Sequence, residues 1–531
     1  TYVGGLVGYS NNQISNSYAT GSLVKGGHQT GGLVGHTDNH IYDSYATADV
    51  VTNSSYSGGL VGYSNNIVYD SYATGDVTTN NPYSGGLGGY VRAIYDSYAT
   101  GNVTSTSSYV GGLAGALQLA DNAYATGTVS GSSYVGGFVG EQQGGGTVSD
   151  SYATGAVTSN GSQVGGFAGR ANGAISNSFA NGSVVGSSYV GGFVGYQNSG
   201  SIINSFTNGD VSAVGDYVGG FVGYQNSGSI TNTSSTGSVY TPARSYVGGF
   251  VGQSNGTITD STVVISTVNE TSGFGVFGNK YIGGFSGYNQ GAISNSTATA
   301  SIKGQASTGG FVGLNVAGTI SFSGAFGSVT GTNAVGGFAG RVDAGTISSS
   351  YSNSLVVGSS TDATTFVGGF VGYVVNGAIT TSRAAGAVSG SYRVGGFVGS
   401  MFGSGSIGQS YATGAVTQYS TSTAGADGGV GGFAGYLGDA QTGALTDIYA
   451  MGSVTGTQQV GGLVGYAGRG TITNGFSTGA VSSNSGATSI GGAFGVVNQT
   501  FLTNTSTLPV TQSDIYFNTD SSGLLQDGAG G

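Results

Sequence analysis

A glycine pair followed by a large apolar residue returns along this chain at near-constant spacing. It stands at Gly4-Gly5-Leu6, Gly31-Gly32-Leu33, Gly58-Gly59-Leu60, Gly85-Gly86-Leu87 and Gly111-Gly112-Leu113, and continues to Gly491-Gly492-Ala493 in eighteen copies. The first steps are 27, 27, 27 and 26 residues, a period typical of solenoid architectures. A unit this short cannot bury its own apolar face, but stacked copies bury one another's. The averaged unit reads VGGFVGYxNxGxIxNSYATGxVxGSSY.

Composition narrows what the unit can form. Of 531 residues, 110 are glycine and 3 proline, 6% are charged and 37% hydrophobic, and there is no cysteine or tryptophan. Ordinary globular domains carry roughly 7% glycine and about 25% charged residues. Collagen is excluded because glycine does not recur every third residue, and disorder because the apolar content is too high. Abundant Gly, Ser, Thr, Val and Tyr oppose helix and favour short strands. Each repeat predicts three strand segments, around VGGFVG, around the central isoleucine and around SYATGxV, with turn residues such as Ser10-Asn11-Asn12 between them. The expected fold is all-β: a right-handed parallel β-solenoid (β-helix) of about 18 coils, one per ~28-residue repeat, continuous over residues 1–500. At about 4.8 Å per coil it would run roughly 85 Å.

Comparing copies assigns faces. The position after the glycine pair is Leu or Phe except at Ala493, and belongs in the core. The position after the Tyr of SYATG is nearly always Ala or Ser, so space there is limited. The aromatic position, Tyr18, Tyr45, Tyr72, Tyr98, Tyr124 and Tyr152, also accepts Ser234, Thr297 and Arg383. A buried arginine would be costly, so this column should face outward. Thr20, Thr47, Thr74 and Thr100 lie two residues on, on the same face, giving a Tyr/Thr ladder as a candidate binding surface. An Asn/Asp column, including Asn16, Asp43, Asp70, Asp96 and Asn122, should stack its amides and carboxylates at the preceding turn.

GGLVG or GGFVG, then a turn, an isoleucine, NSYATG and a valine resembles the GLUG repeat of large secreted bacterial surface proteins, among them filamentous-haemagglutinin-like adhesins and some surface-anchored immunoglobulin proteases. The resemblance extends from residue 1 to about 500. It implies an exported surface module of bacterial type, extracellular or on the cell surface, and no activity of its own. Ser513–Asp520 and the flanking residues of 501–531 resemble the segment that closes such arrays. The array is irregular at 261–280 and 417–430, where residues are inserted.

Candidate chemistry is sparse. The net charge is −11 with ten scattered basic residues, which argues against nucleic acid as a partner. No run of 18 apolar residues exists and no basic stretch precedes an apolar one at Thr1, so neither membrane insertion nor a signal peptide is expected. The start, TYVGG, reads as that of a processed product or an excised piece. His28, His36 and His40 fall close together but off any helix, weak grounds for a transition-metal site. Only two glutamates occur, Glu141 and Glu270, and no nucleophile, base and orienting group interrupt the repeat together, so no enzyme is expected. Asp43, Asp70 and Asp96 share one column, and Asp49 and Asp76 another. Like charges about 5 Å apart repel, so either the carboxylates fan into water or a calcium ion, the possible cofactor, sits between them. The expected function is an adhesin stalk. Alternatives are a self-associating fibre subunit and a glycan-binding face on the Tyr/Thr ladder.

Overall fold

Gly137 illustrates why a glycine pair punctuates each repeat. A Cβ there would run into the carbonyl oxygen of Gly166, its counterpart one coil on, and a Cβ on Gly136 would run into that of Val139. Only a residue without a side chain lets the backbone turn and stack so closely. The same corner limits its neighbour: a Cβ on Gly137 would also meet the Ala153 Cβ at 3.1 Å. That contact accounts for the small residue after the ladder tyrosine.

The computed structural model describes the chain except residues 54, 267–268, 270, 363, 420–427, 439–440, 485–488, 498–510 and 518–531. Every helical or strand element among the described residues is a strand, and no helix is long and apolar enough to cross a membrane. Two units are present, Thr1–Arg244 with Gly249–Thr262, and Ser245–Gly248 with Val263–Gly531. Each holds nine of the short strands that enter a Gly-Gly corner. In the first unit Val135 pairs in parallel with Val164, Val164 with Val190 and Val190 with Val218. In the second, Val367 pairs with Val394, Val394 with Val430 and Val430 with Val460. The all-β parallel solenoid with one coil per repeat, about 18 in all, is the fold observed in each unit. Register survives the insertion before Val430, whose residues 420–427 lie outside the described set.

The strand count per coil differs from expectation. One coil contains Val135–Gly136, Val139–Gln142, Thr147–Ser149, Tyr152–Ala153 and Val157–Ser159, five strands where three were expected. The Gly-Gly corner divides VGGFVG, and a second close approach, Gly155 against the Gly127 carbonyl, divides SYATGxV. Some later coils merge segments, as in Thr297–Lys303 and Ser406–Ala412.

Inside, the Leu/Phe column is continuous within each unit. Phe138, Phe167, Phe193, Phe221 and Phe250 are fully buried and stack at centroid distances of 4.6–4.9 Å. Phe285, Phe311, Phe338, Phe370, Phe397 and Phe433 do the same at 4.7–4.8 Å. At roughly 1.5–3 kcal/mol per buried side chain, this column is a large part of what holds each coil. A serine column lines a buried turn: Ser151 N–H donates to Ser178 Oγ at 3.3 Å, and Ser178 N–H to Ser205 Oγ at 3.2 Å. Each hydroxyl in turn donates two residues back, Ser178 to the Ser176 carbonyl at 2.7 Å. Near the C-terminus, Thr511–Phe517 pairs in parallel with Thr471–Ser477. The rest of the proposed closing segment, 501–510 and 518–531, lies outside the described residues.

Candidate functional site

The outer aromatic column is a stack. Tyr18, Tyr45, Tyr72, Tyr98, Tyr124 and Tyr152 follow one another at 4.8–5.3 Å with ring planes within 8°. Phe179 and Phe206 extend it. Tyr18 is 60% exposed, whereas Tyr45 to Tyr152 are half-buried. Their faces are taken up by neighbouring rings, so the ladder presents ring edges and hydroxyls. Thr20, Thr47, Thr74 and Thr100 are exposed beside it. Arg383, at the equivalent position of a later coil, is exposed with its guanidinium 5.2 Å from the Tyr351 ring centroid.

The Asn/Asp column has a backbone cause absent from the sequence reading. Asn16, Asp43, Asp70, Asp96, Asn122, Asp150, Asn177 and Asn204 all sit at φ between 47° and 51°, the left-handed region that Asn and Asp tolerate best after glycine. Their side chains also join, Asn122 Nδ2 donating to Asp96 Oδ1 at 2.6 Å and Asn204 Nδ2 to Asn177 Oδ1 at 3.2 Å. Asp43, Asp70, Asp96, Asp49 and Asp76 are all exposed. Asp49 Oδ1 accepts the Asp76 N–H at 2.9 Å, and Asp76 Oδ1 accepts the Asn102 N–H at 2.7 Å and its Nδ2 at 3.2 Å. The charges of Asp70 and Asp96 push the Tyr69 phenol pKa up. Among the described residues, no group of three or more His, Asp or Glu side chains is gathered as a metal site requires.

Two further aromatic columns went unread in the sequence, although Tyr recurs at fixed offsets in VGGFVGY and GSSY. One comprises Tyr56, Tyr83, Tyr109 and Tyr134, then Tyr189 and Tyr217, at φ between 53° and 64°, strained for a bulky residue. The other runs Tyr9, His36, Tyr63 and Tyr90, then Tyr196 and Tyr224. They meet edge to face, Tyr56 with Tyr63 at 5.3 Å, Tyr189 with Tyr196 at 5.9 Å and Tyr217 with Tyr224 at 5.5 Å. Between Tyr90 and Tyr196 the second column holds Ala116, Glu141 and Arg170 instead. His36 takes a tyrosine's place, stacked 5.1 Å from Tyr63. Its Nδ1 lies 2.6 Å from Gln29 Oε1 and its Nε2 3.0 Å from Asp38 Oδ1. Tyr9 Oη donates to Asp38 Oδ2 at 2.7 Å. That bond, with the His36 contact, holds the Asp38 carboxyl below the usual carboxylate range.

These features define a repeat protein whose ladders run along a parallel β-solenoid. The chain carries GLUG repeats: the GLUG motif matches residues 1–24, 26–51, 131–158, 215–240, 278–303 and 456–482. No curated protein and no solved structure matches it.

Proposed function

We propose that the chain is a non-catalytic structural module of a bacterial cell-surface protein, a stalk that holds a binding region away from the cell. The supporting observation is the use made of its polar side chains. Ser178, Asn204 and Asp76 each hydrogen-bond to the same position of an adjoining coil, so groups that could serve chemistry join coil to coil instead. Such a module lengthens by adding coils, without any new kind of contact.

The test is to screen the purified chain against glycan, ester and peptide substrates and to sediment it over a hundredfold range of concentration. The stalk reading expects no turnover and single molecules throughout. Turnover abolished by one point substitution would overturn it. Filaments growing with concentration would favour a self-associating fibre subunit instead.

A further inference from the structure

The tyrosines of the outer ladder do not need their hydroxyls in order to stack. Phe179 and Phe206 continue the column with the same geometry, Tyr152 to Phe179 at 4.9 Å and 2°, Phe179 to Phe206 at 5.0 Å and 8°. Yet the rungs from Tyr18 to Tyr152 are phenols in six successive coils. Tyr411 and Tyr449 hold the same position in the second unit, stacked at 4.5 Å and 7°. The chain offers an oxidant little else. It has no cysteine, the side chain that peroxide takes first, and no tryptophan, against 34 tyrosines. Of its two methionines, Met401 is buried and Met451 exposed.

We infer that the outer ladder is a site of oxidative modification, at which neighbouring tyrosines are joined as dityrosine by hydrogen peroxide acting through a haem peroxidase. Each phenol yields one electron to the oxidised haem and its hydroxyl proton to water. The two phenoxyl radicals pair their electrons in a bond between ortho carbons, Cε of one ring to Cε of the next. Each of those carbons then loses its hydrogen as a proton while its ring oxygen takes one up, which restores both phenols. In sum, two hydrogen atoms leave the tyrosines and reduce one peroxide to two waters. The orbital that carries the unpaired electron of an ortho carbon stands perpendicular to the ring, so the bond forms between rings that face each other. Ladder planes lie within 8° of parallel, and holding two reactants face to face replaces a chance encounter. Edge-to-face pairs such as Tyr56 with Tyr63, at 87°, bring no two faces together. Rings of the paired columns also flank one another, whereas the outer ladder turns its edges and hydroxyls outward. Each link closes a loop of one repeat and ties one coil to the next.

The test exposes the full chain to hydrogen peroxide and a haem peroxidase, follows dityrosine by its fluorescence, and locates the bonds by mass spectrometry of a digest. Links should join ladder residues 26–28 positions apart, such as Tyr72 with Tyr98, in a chain that still runs as a monomer on denaturing gels, with the same yield per chain at any dilution. Replacing Tyr18, Tyr45, Tyr72, Tyr98, Tyr124 and Tyr152 together by phenylalanine keeps the stack that Phe179 and Phe206 already make, and should remove more than half of the dityrosine. The single variant Tyr98→Phe should lose the links to Tyr72 and Tyr124 and retain that between Tyr18 and Tyr45, which keeps the assignment testable if the sixfold variant misfolds. Dityrosine formed only between chains overturns the inference. So do links concentrated in the paired columns, an undiminished yield in the sixfold variant, or no dityrosine under conditions that couple free tyrosine.

Discussion

Asn204 combines two roles in one side chain: its backbone sits at φ 51°, and its amide accepts from Asn232 Nδ2 at 2.8 Å. Alanine at this φ costs about 1–2 kcal/mol, whereas glycine relieves the backbone and loses only the exposed amide contacts to Asn177 and Asn232. Chemical denaturation should therefore rank wild type above Asn204→Gly and that above Asn204→Ala. Equal stability of Gly and Ala would deny the backbone explanation of the column. A second residue-scale expectation concerns pH. Asp38 has a folded pKa below its unfolded one, so its contribution is present above the usual carboxylate value of about 4 and lost as pH falls through the folded value. Because Asp38 is largely exposed, the effect is small. Tyr9→Phe should melt slightly below wild type at pH 6, and the gap should close near pH 2. A gap that widens in acid would contradict the assignment.

At the scale of the strand and its turn, the buried serines link neighbouring coils. Removing the Ser178 hydroxyl leaves the Ser151 N–H without its acceptor, and an orphaned buried donor costs roughly 1–3 kcal/mol. Ser178→Ala should lose about that much in urea, and Ser178→Thr much less if the extra methyl fits. Several elements were legible beforehand. The Leu/Phe column and the outer tyrosines emerged because eighteen copies sample each position, so a single Arg383 was enough to turn one face outward. The five-strand coil was not legible, because the division at Gly137 arises from a neighbouring coil's carbonyl rather than from local propensity. Nor was the left-handed tyrosine column, since tyrosine at φ 62° in Tyr109 runs against intrinsic preference and is held by stacking on Tyr83 and Tyr134. The break in the second tyrosine column at Ala116, Glu141 and Arg170 escaped for the opposite reason: averaging the repeat erases what only three coils contain.

At the scale of the whole molecule, the account rests on one claim, that within each unit every repeat is one coil and lies in parallel register on the next. Contacts then join residues about one period apart, and stability accumulates coil by coil within each unit. The absence of native cysteine makes this directly measurable. Thr78 and Thr104 are exposed register partners in the first unit, as are Thr319 and Thr346 in the second. Ser130 is the next partner beyond Thr104. Cysteines bridge when their Cα atoms lie within about 7 Å. The deciding measurement is oxidative cross-linking of paired cysteine variants in the folded chain. The account predicts rapid disulfides in Thr78→Cys/Thr104→Cys and Thr319→Cys/Thr346→Cys, and none in Thr78→Cys/Ser130→Cys, which skips a coil. Cross-linking of the skipped pair, or failure of both register pairs, would contradict it.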